Sequence, residues 1–167
     1  MFLFHGGTTI IEHPVIITGE QGRDFGFAFY TTDIREQAER WARRRARYRG
    51  RFSGHMLTGI VNEYEFDEND CSDLAIQRFP EPSLEWIDFV VANRSNPSFR
   101  HSLDLVIGKI ANDRVGETIS YVVQGIMRRE DALERLRFQQ INNQFAFCTD
   151  RAIAKLKYHR SYEVPNE

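Results

Sequence analysis

The stretch "GFAFYTTDIREQAERWARR", residues 26 to 44, constrains the fold more than any other part of the chain. An aromatic strand, "FAFYTT", ends at two threonines, and a helical pattern starts at once. Asp33 is suited to cap that helix, Glu36 three residues later completes a capping box, and Ile34, Ala38, Trp41 and Ala42 follow at helical spacing. So short a corner holds the end of a sheet beside the first turns of a helix. Trp41 comes eleven residues after Tyr30 and about two turns into the helix, so both rings can face one slot at the strand end. A corner needs no such pair of aromatics. The pair points to a ligand pocket, although aromatics at helical spacing also serve as core.

The other segments mix short strands and helices without a repeat or a low-complexity linker. Phe2 to Phe4 reads as a strand ending at His5-Gly6-Gly7, and a loop rich in Gly and Pro leads to Gly26. "GIVNEYEFD" alternates like a half-buried strand, Pro82-Ser83 opens a helix through "LEWIDFVVANR", and "LDLVIGKIA" is a continuous apolar run, hence a central strand. "REDALERLRFQQI" reads as a helix with acids in its first turn. "NNQFAFCT" reads as a strand with Phe145 and Phe147 on one face and Gln144, Ala146 and Cys148 on the other. A short helix around "RAIAKLKY" and a strand near "HRSYEV" follow. The expected class is α+β, with mostly antiparallel strands in two small sheets and flanking helices. With 167 residues, 41% hydrophobic and 28% charged, the chain can build one core but not comfortably two, so residues 1–167 are read as a single domain.

Charge is segregated along the sequence. From Arg40 to Arg51 there are seven arginines and no acid, whereas Glu63 to Asp73 holds six acids and no base, so the surface is expected to be electrically two-sided. The net charge of -2 excludes nucleic-acid binding by bulk charge alone and allows a local basic track. Arg43, Arg44, Arg45 and Arg47, with Tyr48 interleaved, suit either a solvated helix face or contact with a polyanion. Cys71 and Cys148 are far apart and outside any C-x-x-C pair, which supports neither a zinc site nor a disulfide framework and fits a reducing cytosol. "MFLFHGG" is apolar for only four residues and lacks a basic flank, so it is not a signal peptide. No stretch approaches the ~18 apolar residues of a membrane span, and the expected location is cytoplasmic, away from membranes.

Three places could carry chemistry, and each has a plain structural alternative. His5-Gly6-Gly7 ends a strand where glycine lets a ligand approach the backbone, or it is simply a turn. Tyr30 and Trp41 form a slot, or they are core. Asn142-Asn143-Gln144 is a polar cluster leading into an apolar strand, which is also how an ordinary turn looks.

In order and context the three together resemble the ADP-ribosyltransferase superfamily, the branch of diphtheria toxin and the poly(ADP-ribose) polymerases, whose signature is His-Tyr-Glu on three strands. "FHGG" looks like the first-strand His-Gly, "FGFAFYTTDIREQAERW" like the tyrosine strand and its helix with a second stacking aromatic, and "NNQFAFCT" like the third strand with Gln144 in the glutamate position. The segments "DFGFAFYTTDIREQAERWA", "EWIDFVVANR" and "NNQFAFCTDRAIAKL" further resemble the bacterial domain-of-unknown-function family 3990, often described as ADP-ribosyltransferase-like.

The resemblance implies a split β-sandwich that binds NAD as co-substrate. It assigns catalytic roles to His5, Tyr30 and Gln144, and NAD contacts to His5, Gly6, Gly7, Tyr30, Thr31, Trp41 and Asn143. Tyr30 and Trp41 would stack on the nicotinamide, Gly6 would pair with its carboxamide, His5 would hold the adenine-side ribose, and Gln144 would hold the nicotinamide-side 2′-hydroxyl. Gln144 brings no negative charge and no base, which favours mono-transfer over chain elongation, or an NAD or ADP-ribose binding module without turnover. Ala38 stands where the polymerases place a carboxamide-binding serine, with Gln37 as a neighbour able to substitute if it turns inward. Arg94, Asn112 and Asp113 are weaker cleft candidates. The implied partners are a macromolecular acceptor, protein or nucleic acid, and a small antitoxin-like protein if the chain is the toxin of a toxin-antitoxin pair. A related fold serves RNA 2′-phosphotransferases, to which only the arginine run points.

Overall fold

The computed structural model describes residues 1–19, 22–110, 113–137 and 142–165. Strands β1 (Phe2–Gly7), β3 (Gly59–Glu65) and β7 (Lys157–Val164) form an antiparallel three-stranded sheet with β3 in the middle. A four-stranded sheet runs in the order β2 (Phe29–Thr31), β6 (Asn142–Phe147), β5 (Leu105–Ile110), β4 (Ile76–Phe79), antiparallel except for the β4–β5 pair. The expected α+β class with two small, mostly antiparallel sheets is what the chain adopts.

Period-two alternation sorts the side chains into three cores. Leu3, Tyr64, Phe29, Leu105, Phe145 and Phe147 point between the two sheets. On the opposite face of β1 and β3, Phe4 and Val61 meet Ala38 and Ala42 of helix α1 (Arg35–Ser53). The opposite face of the four-stranded sheet, with Tyr30, Val106 and Ala146, is covered by α2 (Leu84–Ser95), α3 (Asp113–Val123) and α4 (Arg129–Leu136). "LDLVIGKIA" is apolar throughout because β5 lies inside its sheet with both faces covered. A short helix, α5 (Asp150–Ile153), leads into β7. The end of "REDALERLRFQQI", residues 138 to 141, lies outside the described residues.

The sheets meet at the bridge between Phe4 and Thr32. The Phe4 N–H donates to the Thr32 carbonyl at 2.8 Å, and the Thr32 N–H donates to the Phe4 carbonyl at 2.9 Å. Beyond Thr32 the capping box expected of Asp33 and Glu36 does not form. Ile34 is the N-cap and no side chain caps the helix. Asp33 is drawn off instead, its Oδ2 accepting from Asn143 Nδ2 on β6 at 3.1 Å, and Thr32 Oγ1 takes the Ile34 N–H. Of the acidic run expected on the surface, Glu63 is instead buried between Arg160 (3.2 Å) and Arg35 (3.6 Å), while Glu65, Asp67, Glu68, Asp70 and Asp73 are exposed.

Helix α1 lies on the first sheet at backbone contact. A Cβ on Gly6 would stand 2.0 Å from the Ala38 carbonyl oxygen and 2.8 Å from the Ala42 nitrogen, and one on Gly59 would stand 2.9 Å from the Ala42 carbonyl carbon. Backbone cannot step aside as a side chain can. Gly6→Ala should therefore lower the urea midpoint strongly, by on the order of 3 kcal/mol of stability. In Gly7→Ala the new methyl meets only the His5 ring, at 3.5 Å, and should change stability by less than about 1 kcal/mol. Equal effects of the two substitutions would contradict the close approach of α1.

Candidate functional site

The bridge between the sheets stops one residue pair short of a gap, and the site is built there. Phe4 directs its N–H and C=O at Thr32, away from β3. Alternation along a strand turns the N–H and C=O of Gly6 to the same side, one step past the last bridge. They make no hydrogen bond to a described residue outside the ladder. The result is a donor and an acceptor spaced like one face of an amide.

His5 is held in one tautomer. Its Nδ1 lies 2.7 Å from the Tyr30 carbonyl oxygen, which can only accept, so Nδ1 carries the proton and Nε2 is left as a bare acceptor. The ring stacks on Phe29 at 4.6 Å. Burial, with help from the cations Arg45 and Arg23, lowers its pKa to about 4, so the imidazole is neutral at physiological pH.

A cavity of about 330 Å³ opens at this point. His5 and Gly6 form its β1 side, Tyr30 and Gln144 its floor from the second sheet, and Trp41 and Tyr48 its α1 side, with Arg23, Arg44, Arg45 and Ile17 completing the wall. The three stretches singled out in the sequence thus converge on one space. Tyr30 is 6% exposed and donates its hydroxyl to the Gly26 carbonyl at 2.5 Å. Burial holds that hydroxyl protonated well above the usual range, so Tyr30 is a wall and not a base. Trp41 is half-buried, at once packed against the helical core and lining the cavity. Gln144 is 6% exposed, yet its side chain makes no hydrogen bond to a described residue, so a buried amide is held open to whatever fills the cavity.

Three arginines, Arg23, Arg44 and Arg45, stand in the cavity wall. Arg23 lies over the Tyr30 ring at 5.4 Å, and burial together with the nearby charge of Arg45 lowers its pKa. Guanidinium groups on a cavity wall can take an anion. Arg23 also lines a second cavity of about 280 Å³. Arg94 is found there, paired with Asp24 at 2.5 Å, beside the Cys148 thiol, which burial keeps protonated with a pKa of about 12.

Several expected residues stand elsewhere. Gly7 does not line the cavity, Thr31 is fully buried with its hydroxyl toward the Phe145 carbonyl, and Asn143 is occupied with Asp33. Ala38 supports Gly6 from below. Gln37 does turn inward, but toward the Asn143 carbonyl at 3.3 Å and not into the cavity. The arginine run divides: Arg44 and Arg45 line the cavity, whereas Arg43 and Arg47 line a groove on another side of α1. Asn112 and the side chain of Asp113 lie outside the described residues. Sequence reasoning missed Arg23. Its setting between Gly22 and Gly26, both with positive φ, is the signal that could have found it.

The neutral state of His5 has a measurable cost in acid. With the folded pKa near 4 and the ordinary value of 6.5, the unfolded chain takes up a proton that the folded chain refuses. The contribution of His5 to stability is full above pH 6.5 and is lost as pH falls toward 4. His5→Asn keeps a donor near the position of Nδ1 without that titration. The stability difference between wild type and variant, from urea melts, should therefore shrink as pH drops from about 7 to about 4.5. A constant difference would mean that His5 is not buried as described.

Among the described residues no helix is long and apolar enough to cross a membrane, and no cluster of His, Cys, Asp and Glu could hold a metal ion. No curated protein and no solved structure matches the chain. A family model does, over residues 1–158, that of a protein of unknown function (DUF3990). With all but the last few residues covered, the chain belongs to that family.

Proposed function

We propose that the protein is an NAD-dependent mono-ADP-ribosyltransferase. The observation that carries this reading is the convergence, in one cavity, of the amide-like face of Gly6, the acceptor Nε2 of His5, the two aromatic walls and the amide of Gln144, which no described residue takes up. A nicotinamide carries a carboxamide, which suits Gly6, on a flat cationic ring, which suits Tyr30 and Trp41. Ribose hydroxyls are donors that suit His5 Nε2 and the Gln144 carbonyl. The diphosphate suits the guanidinium groups of Arg23, Arg44 and Arg45 in the cavity wall.

In the proposed reaction the bond between the ribose C1′ and the nicotinamide nitrogen breaks, and its electron pair stays with nicotinamide, which leaves neutral. The ribose flattens with oxocarbenium character while Gln144 holds its 2′-hydroxyl. An acceptor nucleophile forms the new bond at C1′ and gives its proton to solvent. Gln144 has no negative charge to set against the cation, so positioning, departure of a stacked leaving group and the protonation-independent grip of His5 do the work. The uncharged amide also favours a second reading, a module that binds NAD without turning it over.

Gln144→Ala separates the two. NAD at millimolar concentration should raise the melting temperature of wild type and of Gln144→Ala alike, and of Tyr30→Ala much less. Nicotinamide release should fall by on the order of 10- to 100-fold in Gln144→Ala, because its hydrogen bond strengthens only as the ribose flattens. Binding without release in the wild type would establish the binding module. The absence of any thermal shift would overturn both.

A further inference from the structure

We infer that the acceptor is a single-stranded nucleic acid, with its bases on Tyr48 and Phe52 and its phosphates on Arg47 and Arg51. The inference rests on the transferase reading and names the substrate class of that same site. Tyr48 lines the cavity and is 62% exposed, while Phe52, one helical turn further from the cavity, is 78% exposed. Their rings stand edge to face at 5.0 Å, in contact with each other and with no core cluster. Two large rings left in water on one helix need a reason that packing does not give.

The arginines around them have the same character. After Arg40, α1 carries four like-charged pairs at i,i+4 spacing, Arg40 with Arg44, Arg43 with Arg47, Arg45 with Arg49 and Arg47 with Arg51, and no acid. Each such pair weakens the helix. A solvated face alternates its charges. Neither Arg47 nor Arg51 has a hydrogen-bond or ion-pair partner among the described residues. Both line, with Arg43 and His55, a groove of about 540 Å³ between α1 and the turn that returns to β3. The acidic run is different, since Glu63, Glu68 and Asp73 are each paired with Arg160, Arg78 and Lys155. Arg47 and Arg51 are thus cations that no described residue compensates, and their complement is a polyanion.

The aromatic pair decides which polyanion. Ring faces offered in steps beside a row of guanidinium groups fit unpaired bases on a phosphate backbone. In a duplex those base faces are covered by their neighbours. Because Tyr48 belongs both to this row and to the cavity wall, a strand laid on α1 delivers one nucleotide to the place where the ribose C1′ would be exposed.

Fluorescence anisotropy with labelled single-stranded RNA and DNA, without NAD, tests this apart from the transferase reading. Wild type should bind a single strand more tightly than a duplex of the same sequence, and polyglutamate, an acidic-protein mimic, should not compete. The tighter of the RNA and DNA strands identifies the sugar. Phe52→Ala should weaken binding by on the order of 10-fold or more. The Arg47→Gln, Arg51→Gln double variant should flatten the log–log salt slope by about 1.4, roughly 0.7 per phosphate contact. Arg47 and Arg51 do not line the cavity, so acceptor-independent nicotinamide release by the double variant should stay as in wild type. Failure of the wild type to bind either strand at low salt, tighter duplex binding, or effective competition by polyglutamate would overturn the proposal. If NAD neither binds nor reacts while these oligonucleotide results hold, it is the transferase reading that fails and the surface that stands.

Discussion

The distance between helix α1 and the first sheet is the constraint on which the site depends. Ala38, Ala42 and Ala46, four residues apart, form a flat methyl face, and Gly6 and Gly59 present bare backbone beneath it. Once that face is fixed, helical geometry assigns the other two. Trp41, Arg44, Arg45 and Tyr48, spaced i, i+3, i+4 and i+7, turn to the gap between the sheets, and Arg43, Arg47 and Arg51 lie on the adjacent face, toward the groove. Gly6 therefore serves twice. Its missing side chain admits the helix, and its backbone polar groups, aimed away from β3, are left for a ligand.

Within the cavity the chain solves an electrostatic problem by keeping one group neutral. Arg45 and Arg23 stand near a buried histidine, and a protonated imidazole there would lose its solvation and face their charges. The Tyr30 carbonyl fixes the proton on Nδ1, and burial keeps a second proton off Nε2. The acceptor lone pair is thus available across the neutral pH range. The same backbone contact ties β1 to β2, so the residue that would read a sugar hydroxyl also joins the two sheets.

Most of the site was legible in the sequence because its parts sit at ends of patterned elements. Alternation in "NNQFAFCT" sends Gln144 to the Tyr30 side, and the spacing from Tyr30 to Trp41 puts both at one cavity. What was illegible depended on long-range competition. Asp33 has the local context of a helix cap, but Asn143, more than a hundred residues away, takes its carboxylate. Helix α3 gives a weak local signal because "DRVGETISYVV" is rich in β-branched residues and contains Gly116; it is helical because Val115 and Ile119 are buried in the core shared with α2 and α4. Strand β4, "IQRF", is only four residues long and joins the sheet through parallel pairing with β5, a partner that no local pattern announces.

Gln144 shows what the surroundings demand of the third strand. A side chain that is 6% exposed has little water to stabilise a charge, and a carboxylate there would depend on the cavity arginines to remain ionised. Those arginines are the groups proposed to hold a diphosphate, so a carboxylate would compete with the substrate for them. An amide avoids that competition and keeps both an acceptor and a donor for a hydroxyl. The cost falls on chemistry, because an amide can neither oppose a developing cation with full charge nor remove a proton from the acceptor. On the proposed reaction the nucleophile must therefore attack with a lone pair it already has and lose its proton afterward. Nucleobase nitrogens meet that condition better than an unactivated hydroxyl, and the exposed rings of Tyr48 and Phe52 would hold such bases beside the cavity mouth.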